Sequence, residues 1–191
     1  MTWEVVNDAF AGVTSDAAAV WAAVQALPAG ANLVMGNSLP IRHLDQFGQP
    51  SPKPLRVFGN RGASGIDGNT STALGVASAD PSRPTLLITG DITFYHDLNG
   101  LLAIQHNQIH NLTILLLNNN GGGIFQRLPV AAVYDEQAFN RLFITPHNLN
   151  FSHAAALYGL EYVPVPDVAG VTAALTAANG WQRPRLIELH E

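Results

Sequence analysis

The 191-residue sequence has no cysteine, which excludes disulfides and thiolate metal sites. It is also poor in charge: Asp, Glu, Lys and Arg make up 12% of the chain, about half the usual share. No basic cluster occurs anywhere and the net charge is −5, so nucleic acid is excluded as a bulk partner. No apolar run approaches the roughly 20 residues of a membrane span, and "MTWEVVNDAF" carries no signal-peptide pattern. Neither a membrane nor an export route is therefore expected, and the cytoplasm is the expected location. There is no internal repeat and no low-complexity tract. With 47% hydrophobic residues, the scarcity of charge fits either an Ala-rich monomer or a surface built to pack on a partner.

What is present is an alternation. Apolar runs occur at "NLVMG" (32–36), "LRVFG" (55–59), "PTLLITG" (84–90), "LTILLLN" (112–118), "LEYVPV" (160–165) and "RLIELH" (185–190). Helix-like stretches lie near 39–47, 69–79, 97–107, 135–142, 151–158 and 167–178. A further helix is expected in "SDAAAVWAAVQALPAG", capped by Ser15 or Asp16, with Val20, Val24 and Leu27 on one face and Pro28-Ala29-Gly30 as its stop. Near-continuous apolar strands separated by helices predict a parallel sheet covered on both faces. The expected architecture is α/β: one domain over residues 1–191, three layers (α/β/α), a central, mainly parallel six-stranded sheet, and residues 1–30 as a helical lead-in. "QPSPKP" (49–54) reads as a surface loop, because the alternation continues across it.

In such sheets ligands sit beyond the carboxyl ends of the strands. Here four successive ends are polar and glycine-rich: "GNSLPIR", "GNRGASGIDGNT", "GDITFYHD" and "NNNGGGIF". Asp91 follows the third strand, and Asn119 and Gly121 follow the fourth. A carboxylate, an amide oxygen and a backbone carbonyl are hard oxygen ligands suited to Mg²⁺, which usually completes its shell with substrate phosphates. The plainer alternative makes Asp91 a cap for the helix near 97–107 and the asparagines a turn. His106 and His110 are spaced i, i+4 but have no evident third ligand. His96 and Asp97 are expected as helix N-terminal residues rather than a catalytic pair.

Asp91 in "GD", with "NN" beginning 27 positions later at Asn118, resembles the signature of thiamine-diphosphate enzymes, although Ile92 stands where many members have glycine. That resemblance implies the thiamine-diphosphate-binding fold, with Asp91, Asn119 and Gly121 holding Mg²⁺ (or Mn²⁺) on the cofactor's diphosphate. In this order, "GNSLPIR", "NRGASGIDG", "HDLNGL", "NNNGGGIF" and "NFSHAAALYGLEY" resemble the C-terminal third of the menaquinone-pathway synthases that use 2-oxoglutarate and isochorismate. The resemblance runs from about residue 30 to the end. It implies Ile66 as a wedge beneath the cofactor, with Gly90, Gly122, Ile124, Phe125 and Leu128 as further cofactor-pocket residues. Two carboxylate substrates give Arg42 and Arg61, with Ser38, a substrate-binding role.

The family's activating glutamate belongs to a pyrimidine-binding module of a second subunit, in a homodimer or homotetramer. Glu4, Glu136, Glu161, Glu188 and Glu191 match no such motif. The pyrimidine-binding and middle domains are thus expected outside these residues, no catalytic residue is expected within them, and the chain by itself is expected to be inactive. The alternatives are a module of an acetohydroxyacid synthase or 2-oxo acid decarboxylase, or a non-catalytic α/β binding domain. Asn120 receives no role from the sequence.

Overall fold

A computed structural model describes residues 3–177 and 181–190. The six strands are β1 (Asn32–Met35), β2 (Arg56–Gly59), β3 (Thr85–Gly90), β4 (Leu112–Asn118), β5 (Glu161–Val165) and β6 (Arg185–His190). They form one sheet in the order β2-β1-β3-β4-β6-β5, and every neighbouring pair is parallel. The strands fall within a residue of the apolar runs, and the four inner ones, β1, β3, β4 and β6, are buried almost throughout and largely apolar.

Alternate residues serve the two faces. Leu33, Met35, Leu86, Ile88, Leu115, Leu117, Ile187 and Leu189 pack under α2 (Asp16–Ala26) and α9 (Val168–Thr176), where Val20, Val24 and Leu27 also lie. Val34, Leu87, Ile114, Leu116 and Leu186 meet the opposite layer, α4 (Asn69–Ala79) and α8 (Ser152–Tyr158), together with Phe94, Leu101 and Phe151. Each such side chain contributes roughly 1.5–3 kcal/mol by burial. Ser15 caps α2 as expected, accepting from the N–H of Ala18 at 3.2 Å.

Several boundaries differ from expectation. Within the helical lead-in a separate helix, α1 (Trp3–Phe10), precedes α2; Met1 and Thr2 lie outside the described residues. The helix expected near 97–107 begins at Asp91 instead: α5 (Asp91–His96), a 3₁₀ turn (Leu98–Leu102) and α6 (Ala103–His106). His96 therefore closes a helix rather than opening one. Asp97 reaches across to α4, accepting from the N–H of Ser71 at 2.6 Å and its hydroxyl at 2.8 Å. The stretch 135–142 becomes α7 (Glu136–Phe139), capped by Asp135, followed by a π-helical turn (Asn140–Ile144). Helix α9 ends at Thr176, and position 178 of that expectation lies outside the described residues.

This winding places the crevice. After β1 the chain enters α3 (Leu39–Phe47), which packs on α2, whereas after β3 it enters α5, whose Phe94 packs on the other face. Adjacent strands whose continuations part to opposite faces leave an opening between their carboxyl ends. At one border of the sheet all four residues of β2 are exposed, Val57 and Phe58 among them.

Candidate functional site

Asp91 sits at the floor of the opening, 2% exposed. Its Oδ1 accepts the N–H of Ile92 at 2.6 Å; its Oδ2 accepts the N–H of Gly121 at 2.8 Å and faces His147 Nε2 at 3.2 Å. Beside it, the Asn119 amide oxygen is buried without a hydrogen-bond partner. Leaving such an acceptor unpaired costs about 1–3 kcal/mol, so the position is suited to a ligand.

The rest of the "NNNGGG" turn is anchored internally. Asn118 donates to buried Glu188 Oε1 at 2.6 Å, and its own Oδ1 accepts the N–H of Asn120 at 3.0 Å. Glu188 also accepts from Tyr162 at 2.7 Å, and burial together with this carboxylate pushes the phenol up to about 12. Asn120, the residue without a role in the sequence, has a left-handed φ of 59° and exchanges two hydrogen bonds with Asn148.

The glycine N–H groups are paired within the site: Gly121 donates to Asp91, Gly122 to the Ile144 carbonyl at 2.8 Å, and Gly123 to the Gly121 carbonyl at 3.0 Å. What forbids side chains is close backbone approach. A Cβ at Gly121 or Gly122 would land on the carbonyl of Ile144 or Phe143, and one at Gly123 would lie 2.8 Å from the Asn119 amide nitrogen.

A cavity of about 160 Å³ occupies the opening, lined by Ser38, Ile66, Gly90, Asp91, Asn119, Gly121, Gly122, Ile124 and Phe125 among others. Three expected site residues are not in its wall. Leu128 is 46% exposed, because the 3₁₀ turn Gly123–Arg127 ends before it and its backbone is extended. Arg42 and Arg61 stand at the rim: Arg42 donates to the Ser38 carbonyl at 2.6 Å and Arg61 to Asn37 Oδ1 at 2.7 Å. The two guanidiniums are thus held by consecutive residues after β1. Ser38 itself has φ 74° and ψ −131°, a conformation costing a non-glycine residue of order 1–3 kcal/mol.

Sequence reasoning missed Asn37 and His147. Buried Asn37 accepts from Arg61 and donates to the carbonyls of Asn60 at 3.2 Å and Gly65 at 2.5 Å, tying the Ile66 loop to β1. Only the "GN" after each of the first two apolar runs hinted at it.

His43 of α3 is 1% exposed, and neither ring nitrogen has a hydrogen-bond partner. Burial, and secondarily the charge of Arg127, pushes its pKa down to about 4. Unfolded chain binds that proton near pH 6.5, so the native state is fully favoured above 6.5 and loses stability as pH falls towards 4, by on the order of 3 kcal/mol. Urea unfolding of His43→Phe at pH 7.5 and 4.5 is expected to show that much less acid sensitivity than wild type. Equal slopes in the two proteins would count against it.

The donor set at the turn consists of oxygens, and among the described residues no trio of His, Cys, Asp or Glu gathers elsewhere, His106 and His110 included. One carboxylate, an orphaned amide oxygen and a carbonyl with a spare lone pair fit a hard divalent cation.

With a doubly wound parallel sheet and this strand-end site, the chain belongs to the thiamine pyrophosphate enzymes, as their C-terminal TPP-binding domain, which matches over residues 35–189. Within that class it is similar to 2-succinyl-5-enolpyruvyl-6-hydroxy-3-cyclohexene-1-carboxylate synthases. It is 53% identical over 174 residues to that of Roseiflexus castenholzii, covering 91% of this chain and 30% of the relative. With that of Haloarcula marismortui it shares 49% over 156 residues, covering 82% of this chain and 24% of the relative. The chain thus spans less than a third of the length of these relatives. In fold it is similar to a thiamine diphosphate-dependent 4-hydroxybenzoylformate decarboxylase of Rhodococcus jostii, with a TM-score of 0.71 at 21% identity, covering 92% of this chain and 32% of that one.

Proposed function

We propose that this chain is the diphosphate-holding module of a synthase that decarboxylates 2-oxoglutarate and adds the succinyl unit to isochorismate. The observation that carries the reading is the buried, unpartnered Asn119 amide oxygen beside the Asp91 carboxylate, in one cavity wall. Bound there, thiamine diphosphate supplies the nucleophilic carbon and the electron sink. The chain's own residues position it. Asp91, Asn119 and the Gly121 carbonyl hold Mg²⁺, or Mn²⁺ in its place; Ile66, Ile124 and Phe125 give the cofactor its apolar wall. A non-catalytic domain has no use for an orphaned buried acceptor, and the likeness to decarboxylases carries the fold alone.

Arg42 and Arg61, at the rim with Ser38, bind the substrate carboxylates. The activating glutamate comes from the pyrimidine-binding module of another subunit, so the working form is a homodimer or homotetramer, placed in the cytoplasm. The isolated chain holds cofactor weakly and does not turn over, since the facing wall of the pocket lies on that other module.

The test combines the chain with the pyrimidine-binding and middle domains of the Roseiflexus castenholzii relative and follows isochorismate-dependent CO₂ release. The mixture is expected to be active and the chain alone silent. Turnover by the chain alone, or a silent mixture where the intact relative works, overturns the reading. In the active mixture, Arg61→Ala should raise the KM of a carboxylate substrate about 30-fold, the equivalent of ~2 kcal/mol for a charge-assisted pair. Its cofactor affinity should stay as in wild type.

A further inference from the structure

The Asp91 carboxylate has a partner that belongs to none of the four strand-end loops. We propose that His147 is a positioning residue for this carboxylate, acting from a segment, 145–150, that straps across the "NNN" turn. The inference rests on the metal-site reading above.

The tautomer follows from the hydrogen bonds. The N–H of Leu149 donates to His147 Nδ1 at 2.9 Å, which leaves the ring proton on Nε2, 3.2 Å from Asp91 Oδ2. The ring is also held by packing: it lies edge-on to Phe151, 5.5 Å between centroids, and Phe151 is in turn packed against Phe94.

The strap is fastened to the turn at more than this point. The side chains and backbone of Asn120 and Asn148 exchange hydrogen bonds of 2.8 and 3.0 Å, and the Gly122 N–H reaches the Ile144 carbonyl. Thr145 and Asn148 both adopt left-handed φ, 48° and 52°, and a π-helical turn leads into them. Strained, non-glycine backbone of this kind persists where its surroundings over-determine it, and it clusters at functional sites.

The consequence lies in the carboxylate. With Oδ2 accepting from both Gly121 and His147, and Oδ1 from Ile92, the group has little freedom to rotate. A ligand oxygen already oriented loses less on taking up a cation, and removing such an outer partner typically costs 10–100-fold in metal affinity.

The experiment uses the whole 191-residue chain. Mn²⁺ binding in the presence of millimolar thiamine diphosphate is read from the loss of the free-ion EPR signal. Hydrogen exchange of the Gly121 amide is read without metal. His147→Leu keeps the bulk and loses the donor; it should weaken Mn²⁺ binding by about 10-fold or more and speed Gly121 exchange. His147→Gln, whose amide nitrogen can stand in for Nε2, should restore most of both. Where the leucine variant fails to fold, His147→Asn, too short to reach Asp91, takes its place.

Wild-type values for both readouts in His147→Leu overturn the proposal, as does a glutamine variant no better than leucine, which would leave the ring only a packing role. Asp91→Asn is run alongside. If it binds Mn²⁺ as wild type does, the metal-site reading fails, whereas Gly121 exchange still reports on His147 separately.

Discussion

Replacing Asp91 by asparagine is expected to cut the Mg²⁺-dependent affinity for thiamine diphosphate by about 100-fold or more, with the fold preserved. The preservation follows from the contacts: the amide oxygen can still accept from Gly121 and from His147, the partners that Asp91 Oδ2 now has, and only the local bond from the Ile92 N–H to Oδ1 is lost, at about 1–3 kcal/mol. The loss follows from the charge. A unit pair 4 Å apart in a medium of effective dielectric about 20 interacts by ~4 kcal/mol, and a divalent ion doubles that. A 100-fold loss needs only ~2.7 kcal/mol, so it is a lower bound even after solvent and phosphate take up part of the charge. Calorimetric titration of cofactor with and without Mg²⁺ gives the comparison. A variant that keeps the Mg²⁺-dependent increment would remove Asp91 from the metal site.

The largest effect on folding is expected at Gly121. An alanine there must keep φ near +145° and place its Cβ on the Ile144 carbonyl oxygen, a backbone atom that cannot swing away. Left-handed strain of order 1–3 kcal/mol and overpacking of 1–3 kcal/mol add to about 4 kcal/mol. That is a large part of the 5–15 kcal/mol by which domains are stable. Gly62→Ala is the control, since a Cβ there meets nothing within 4 Å and its φ is not left-handed. Guanidinium unfolding should show Gly121→Ala far below wild type and Gly62→Ala close to it. A loss under 1 kcal/mol at Gly121 would mean that the turn shifts away from the 143–144 backbone.

The two residues show what a sequence can display. Asp91 and Asn119 were legible because they end apolar strands: a run such as "LTILLLN" can only be buried, and the first polar residues beyond it must sit at the sheet's edge. Why position 121 must be glycine was not legible. The backbone it abuts lies in a π-helical turn more than twenty residues further on, and nothing local announces it. His147 was invisible for the same reason, since its bond to Asp91 spans 56 positions, and the Glu188–Asn118 bond spans 70. Contacts of that range have no period and no spacing. Where local rules compete, as between a loop and a helix after Gly90, the strand end decided: its extended backbone turns straight into α5, six residues earlier than the apolar pattern suggested. Leu128 lies outside the cavity wall for a similar reason, since the short turn before it stops one residue too soon to carry it inward.

The two borders of the sheet differ in a way that bears on handling the molecule. At β5 the outer strand carries Pro164, which has no N–H to offer, and begins with Glu161. At β2 the outer strand reads Arg-Val-Phe-Gly, exposed along its length, with one charge and no proline. A free row of backbone donors and acceptors beside two apolar side chains is a template on which another strand can grow. In concentrated solution the β2 edge is therefore the border expected to take up another chain's strand, whereas Pro164 interrupts the row of donors at β5.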